Sequence, residues 1–204
     1  TQVNIDPAKT MLFLCDLQEK FKPAIPGYDD VISTAKKMLR VAGILDMKVV
    51  ATSQNAKALG PVDPSLDLDS IGELLFGPYD KTSFSMLIPD ALRHLHDDLA
   101  LPAMSAIIVG IEAHVSVLQT VFDLLDRGVR VFVLADGMAS ANQFEVSLAR
   151  QQMERAGAEI TTSESVSFRL IGDTAHPHFR QFAKLVKSTR ESTRLVGEHL
   201  VEGK

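Results

Sequence analysis

Cysteine is nearly absent from this chain. Cys15 is the only one in 204 residues, so no internal disulfide can form, and an intracellular setting, cytoplasmic or mitochondrial, is the expectation. Long apolar runs are missing too. None approaches the roughly 20 residues that a membrane-spanning helix needs, and the polar start Thr1–Lys9 lacks the charged-then-apolar layout of a secretory leader. No membrane is therefore expected as a partner. Nor is there an excess of positive charge: 21 Lys and Arg stand against 26 Asp and Glu, a formal net charge of −5. That balance gives no general drive towards phosphate backbones and counts against nucleic acid as a partner. Internal repeats and low-complexity tracts are absent as well. What is present is an ordinary globular composition, 46% hydrophobic and 23% charged, enough for one domain with a large core.

The sharpest change of pattern lies between Ser105 and Leu118. An apolar run, Ala106 to Val109, stops at Gly110 and gives way to apolar residues at Val117, Leu118, Val121, Phe122, Leu124 and Leu125, the spacing of a helix. This is a buried strand entering a helix. The helix is expected to stop at Arg127 and Gly128, and a second apolar run, Val129 to Ala135, completes a strand–helix–strand unit. Similar alternation fills the rest of the chain. Met11 to Cys15 and Lys48 to Thr52 read as strands, with a helix between them over Val31 to Leu45. A short helical piece at Ser70 to Leu75 leads to a third strand ending near Lys81, and Pro89 opens a helix over Ile88 to His96. Ser140-Ala141-Asn142-Gln143 matches a capping box for a helix that stops at Gly157; a short strand follows at Ala158 to Thr161, then helices from Ser163 and Pro177. The expected fold is a three-layer α/β/α, doubly wound and mainly parallel six-stranded sheet. One domain over residues 1–186 is expected, with residues 187–204 a loosely attached tail.

In such a sheet the ligand crevice lies beyond the carboxyl ends of the strands. Asp16, Lys81 and Ser116 all fall at ends of that kind, with Ser116 near a helix start that offers unpaired N–H groups. Together they supply a base, a charge stabiliser and a nucleophile, the parts of an acyl-transfer site. Each has a plainer reading alone: Asp16 as a loop cap, Lys81 as a solvated cation, Ser116 as a small helix-start residue. Cys15, next to Asp16, is expected on the opposite face of the strand as a buried apolar thiol. His94 and His96, like His176 and His178, stand two apart, a spacing that diverges on a helix and speaks against a metal. Asp136 reads as a loop-organising carboxylate. Glu112 is either functional or a complement to the helix dipole, and Phe21 and Phe84 serve equally well as pocket walls or core.

Four motifs in order carry a family resemblance: Leu14-Cys15-Asp16-Leu17-Gln18-Glu19-Lys20-Phe21; Thr52-Ser53-Gln54 with Lys57-Ala58-Leu59-Gly60; Lys81-Thr82-Ser83-Phe84-Ser85-Met86; and Gly110-Ile111-Glu112-Ala113-His114-Val115-Ser116-Val117. From about Thr10 to Val186 the chain resembles the isochorismatase-like hydrolases, in particular the isochorismatase-domain-containing branch. The resemblance implies a working trio of Asp, Lys and Cys, with Asp16 and Lys81 matching and Ser116 in the cysteine's place. It also implies a cis peptide at Ile111-Glu112 whose amides, with that of Ser116, form the oxyanion hole. Phe21, Gln54, Phe84 and His114 are expected to line the substrate pocket. Nicotinamidase relatives hold a metal through an Asp and two His after the second strand; Gln54, Asn55 and Ala56 stand there instead, so neither metal nor other cofactor is expected. The implied activity is hydrolysis of a small molecule with an amide- or ester-type carbonyl or a vinyl ether, by a homo-oligomer using the apolar helix around Val117 to Leu125 for contact. The missing thiol leaves a silent ligand- or protein-binding member as the alternative, and the ribonuclease label of some relatives as a weaker one.

Overall fold

The computed structural model describes residues 4–97 and 105–203. Strand β1 (Thr10–Cys15) is buried throughout, as its unbroken apolar sequence requires, and successive residues feed opposite faces. Leu12 and Leu14 pack beneath α1 (Tyr28–Ile44), while Met11, Phe13 and Cys15 pack into the second layer. The chain then runs through β2 (Lys48–Gln54), the short α2 (Ala56–Leu59), β3 (Leu75–Lys81), α3 (Pro89–Asp97), β4 (Ser105–Ile111) and α4 (Leu118–Asp126). It closes with β5 (Arg130–Ala139), α5 (Gln143–Ala156), β6 (Glu159–Thr161), α6 (Ser163–Ile171) and α7 (Phe179–Gly197).

Among the described residues the six strands form one parallel sheet in the order β3-β2-β1-β4-β5-β6. The expected six-stranded α/β/α fold is therefore what forms. The winding proceeds from β1 outward to β3 and then restarts on the other side of β1, so the switch point lies between β1 and β4. Their carboxyl ends are Cys15 and Ile111, side by side through the Cys15–Gly110 register. That is where a parallel sheet leaves an open crevice.

Four expectations need correction. Strand β5 continues to Ala139 rather than ending at Ala135, because a register shift between Ile108 and Gly110 lets Met138 and Ala139 pair with Gly110 and Ile111. Helix α5 begins at Gln143 with Asn142 at its cap and no side-chain cap bond; Ser140, expected to cap it, hydrogen-bonds His114 instead. The boundary expected at residue 187 falls inside α7, where Val196 is buried and Leu200 packs onto the core beyond the helix end. The polar composition read as a loose tail is the outer face of an amphipathic helix. Finally, the apolar residues of α4 are used by the core: Val121 and Leu124 are buried, and Leu118, Phe122 and Leu125 pack against the same cluster. Among the large apolar side chains left exposed are two on α5, Phe144 at 64% and Leu148 at 47% accessible.

Gly110 marks the closest approach of β4 to β1. A Cβ there would overlap the carbonyl oxygen and Cβ of Cys15, at φ +153°, and the overlap involves backbone that cannot rotate away. Gly110→Ala is expected to lower stability by about 3 kcal/mol, seen as a lower urea midpoint with an unchanged slope.

Candidate active site at the switch point

Asp16 follows the last residue of β1 with φ +52°, a left-handed conformation uncommon outside glycine. That turn takes its carboxylate out of the strand alternation, and two donors fix it: Thr52 Oγ1 at 2.8 Å on Oδ1 and Lys81 Nζ at 2.8 Å on Oδ2. The Asp16 and Lys81 side chains are 2% and 0% accessible, so this is a buried ion pair. Lys81, the last residue of β3, reaches across the end of β2 to make it.

Its ammonium has three N–H groups and finds four acceptors. Besides Asp16 these are Gln54 Oε1 at 2.6 Å and the carbonyls of Ser83 at 3.1 Å and Phe84 at 2.8 Å. The loop after β3 is thus wrapped around the cation. Gln54 is itself held, since its N–H donates to Gln18 Oε1 at 2.7 Å while its Nε2 donates to the Thr82 carbonyl at 2.9 Å. Gln18 Nε2 in turn donates to the carbonyls of Gln54 and Gly60. After β2 this chain has an amide committed to Lys81, followed by Asn55 and Ala56; that set does not fit a metal. Among the described residues no group of three or more His, Cys, Asp or Glu is arranged to hold one.

Ser116 belongs to a π turn, Ala113–Val117, that leads into α4 and is closed by the Val117 N–H on the Glu112 carbonyl at 3.2 Å. The residue is buried, and its own carbonyl accepts from Thr120 Oγ1 at 2.6 Å. Thr120 Oγ1 also accepts the Met86 N–H at 3.0 Å, tying α4 to the loop that encloses Lys81. Among the described residues the Ser116 hydroxyl has no hydrogen-bond partner, Asp16 included. The Ile111–Glu112 peptide is cis.

The other expected pocket residues divide. Gln54 joins the Lys81 network, and Phe84 contributes its carbonyl there while its ring is 49% accessible. Phe21 packs against the core cluster under α1. His114 Nδ1 and Ser140 Oγ share a hydrogen bond of 2.9 Å, and Glu112 Oε2 accepts the Ala141 N–H at 2.8 Å, so both side chains engage the segment after β5. Asp136 accepts from the Ser163 N–H and hydroxyl and so anchors the start of α6. His94 stacks on Phe76 and bonds Tyr79.

Cys15 is a buried thiol, as expected. It is buried in the second layer as the alternation requires, but the turn at Asp16 brings the thiol beside the site. Burial first, and then the neighbouring Asp16 carboxylate, push its pKa well above the ordinary thiol range, while Thr120 and Lys81 oppose them. Thr52, Thr120 and Gln18 also belong to the site, a role the sequence pattern does not assign them. The available signal was a polar residue inside or just beyond an otherwise apolar strand or helix face, fully buried in each case.

A family model described as Isochorismatase domain matches residues 10–165. The chain belongs to the isochorismatase family. Isochorismatase domain-containing protein 2 of Xenopus laevis is 39% identical over 178 residues, covering 87% of this chain and 83% of that protein. The solved structure of MAR1 ribonuclease from Caenorhabditis elegans is 39% identical, with a TM-score of 0.78 over 90% of this chain and 92% of that one. The YcaC gene product of Escherichia coli, described as an octameric hydrolase of unknown specificity, shares the fold at TM-score 0.81 and 19% identity, covering 96% and 95%. Family membership therefore rests on both sequence and fold.

Breaking the buried pair leaves a charge without compensation. Lys81→Met is expected to cost about 3–5 kcal/mol, and adding Asp16→Asn should recover much of that loss, because a neutral amide is cheaper to bury than an unpaired carboxylate. Urea denaturation of both variants checks the pattern.

Proposed function

We propose that this isochorismatase-family chain is a small-molecule hydrolase acting on an amide- or ester-type carbonyl or a vinyl ether, through Asp16, Lys81 and Ser116. The observation that carries the reading is the buried Asp16–Lys81 pair, walled by Thr52 and Gln54, at the switch point of the sheet. Buried charge of this kind is costly and concentrates at sites that use it. On the carbonyl route, Ser116 Oγ bonds to the carbonyl carbon as its proton passes to Asp16. The oxyanion is received by N–H groups of the cis loop and Ser116; expulsion of the amine or alcohol takes the proton back, and water then releases the acid. This route is slow here. An alcohol is far harder to ionise than a thiol, and both Asp16 oxygens already accept hydrogen bonds. On the vinyl-ether route no nucleophile is needed at position 116: Asp16 in its acid form delivers its proton to the vinyl carbon, water adds to the resulting cation and returns a proton to Asp16, and the neutral adduct collapses to a carbonyl and an alcohol.

The silent, ligand- or protein-binding alternative is favoured by one observation, the Ser116 hydroxyl without a base in contact. A ribonuclease reading enters through the descriptions of relatives such as the C. elegans structure and is opposed by the net charge of −5. Amides, esters, isochorismate and RNA, assayed beside Asp16→Ala, separate the three. Small-molecule turnover abolished by Asp16→Ala supports the hydrolase, and turnover that survives it sinks the proposed site.

A second test asks whether the electrostatics for a thiolate persist. Ser116→Cys is expected to alkylate rapidly with iodoacetamide at neutral pH, and to slow when Lys81→Ala is added, with the buried, raised-pKa Cys15 of the parent as a slow background. Ordinary thiol behaviour insensitive to Lys81 would favour the silent reading. A homo-oligomer is proposed as well, supported by exposed Phe144 and Leu148 on α5 and by the octameric YcaC. Light scattering at micromolar concentration should give a mass of at least a dimer; a monomer overturns it.

A further inference from the structure

Away from the Asp16–Lys81 pair, a cleft of about 580 Å³ opens between the start of α1, the end of β5, α5 and the chain after α7. None of Asp16, Lys81 or Ser116 lines it. Its volume falls within the ordinary range for small-molecule sites, about 300–1,000 Å³. One wall carries Arg150, half-buried, with its Nε shielded and without an acceptor. Among the described residues the guanidinium makes no hydrogen bond and no ion pair. Burial lowers its pKa. A guanidinium presents five donors in a planar fork suited to carboxylate or phosphate. Leaving a shielded Nε–H without an acceptor is unfavourable, and an anion in the cleft relieves it.

The rest of the lining narrows the anion. Met138, Val146, Leu200 and Val201 offer apolar surface. Asp30, held by His199 at 3.3 Å, and Glu202 add two carboxylates to the same cleft. These disfavour a dianion more than a monoanion. The geometry points to a second site on this protein: a cleft for a small monocarboxylate with an apolar body, its carboxylate on Arg150 and its hydrocarbon against Met138 and Val146. Ser140 on the cleft wall bonds His114, in the turn that follows the cis peptide. This assignment does not rest on the hydrolase reading, and Asp16→Ala should leave it intact.

The probes are butyrate and benzoate, titrated into ¹⁵N-labelled full chain at constant ionic strength, with butyramide and inorganic phosphate as controls. Saturable amide shifts centred on Ser140, Ser147 and Arg150 are expected for the carboxylates, none for butyramide, and weaker ones for phosphate. Arg150→Gln should weaken butyrate binding by at least about tenfold, with Arg150→Lys between it and the parent. Because the guanidinium holds no protein group, Arg150→Gln should melt at or above the parent temperature. No saturation with either carboxylate, equal binding by Arg150→Gln, or tighter binding of phosphate would overturn the proposal. So would a large fall in melting temperature, or loss of oligomer mass in Arg150→Gln, which would assign the guanidinium to a structural or subunit contact.

Discussion

The ion pair between Asp16 and Lys81 is the constraint around which the carboxyl edge of this sheet is arranged. Two charges out of water need every remaining donor and acceptor satisfied, and the surroundings do so with a hydroxyl from β2, an amide from the end of β2 and two loop carbonyls. Three neighbouring strands thus meet at one point, although their sequences are separated by tens of residues. Other polar residues along this edge, the buried Gln18 and the exposed Asp80, act on the same network at one remove, by shaping the loops that supply its partners.

Much of the architecture was legible because parallel strands covered on both faces declare themselves as unbroken apolar runs. Met11 to Cys15 and Ala106 to Val109 have no other plausible use. Helix ends were legible where glycine marked them, as at Gly128 and Gly157, both at positive φ. The misread elements share a cause: a tertiary partner overrode a local preference. Ser140 has the chemistry of a cap, but His114 claims its hydroxyl. Asp136 and Gly137 end an apolar run, yet a register shift lets the strand continue past them. The polar stretch after residue 187 conceals its packing because only occasional residues, among them Val196 and Leu200, face inward.

The site was legible in part. Asp16, Lys81 and Gln54 could be named from motifs because their backbone positions at strand ends follow from the pattern. Thr52, Thr120 and the proximity of Cys15 could not, since they depend on which way side chains turn. For Cys15 the alternation holds, and the decisive event is the left-handed Asp16 that follows it, whose carboxylate leaves the strand pattern and comes beside the thiol. Arg150 was equally hidden: a helix of mixed charge gives no sign that one of its arginines lacks a counter-ion.

Thr120 has the widest mechanical reach of the smaller residues. One hydroxyl donates to the carbonyl of Ser116 and accepts from the backbone of Met86. The segment between Lys81 and Met86 also holds the ammonium through two of its own carbonyls. Any excursion of that segment therefore drags on the first turn of α4 and on the cation together. The position of that segment and the position of the first turn of α4 are thus one mechanical unit, held by a single hydroxyl.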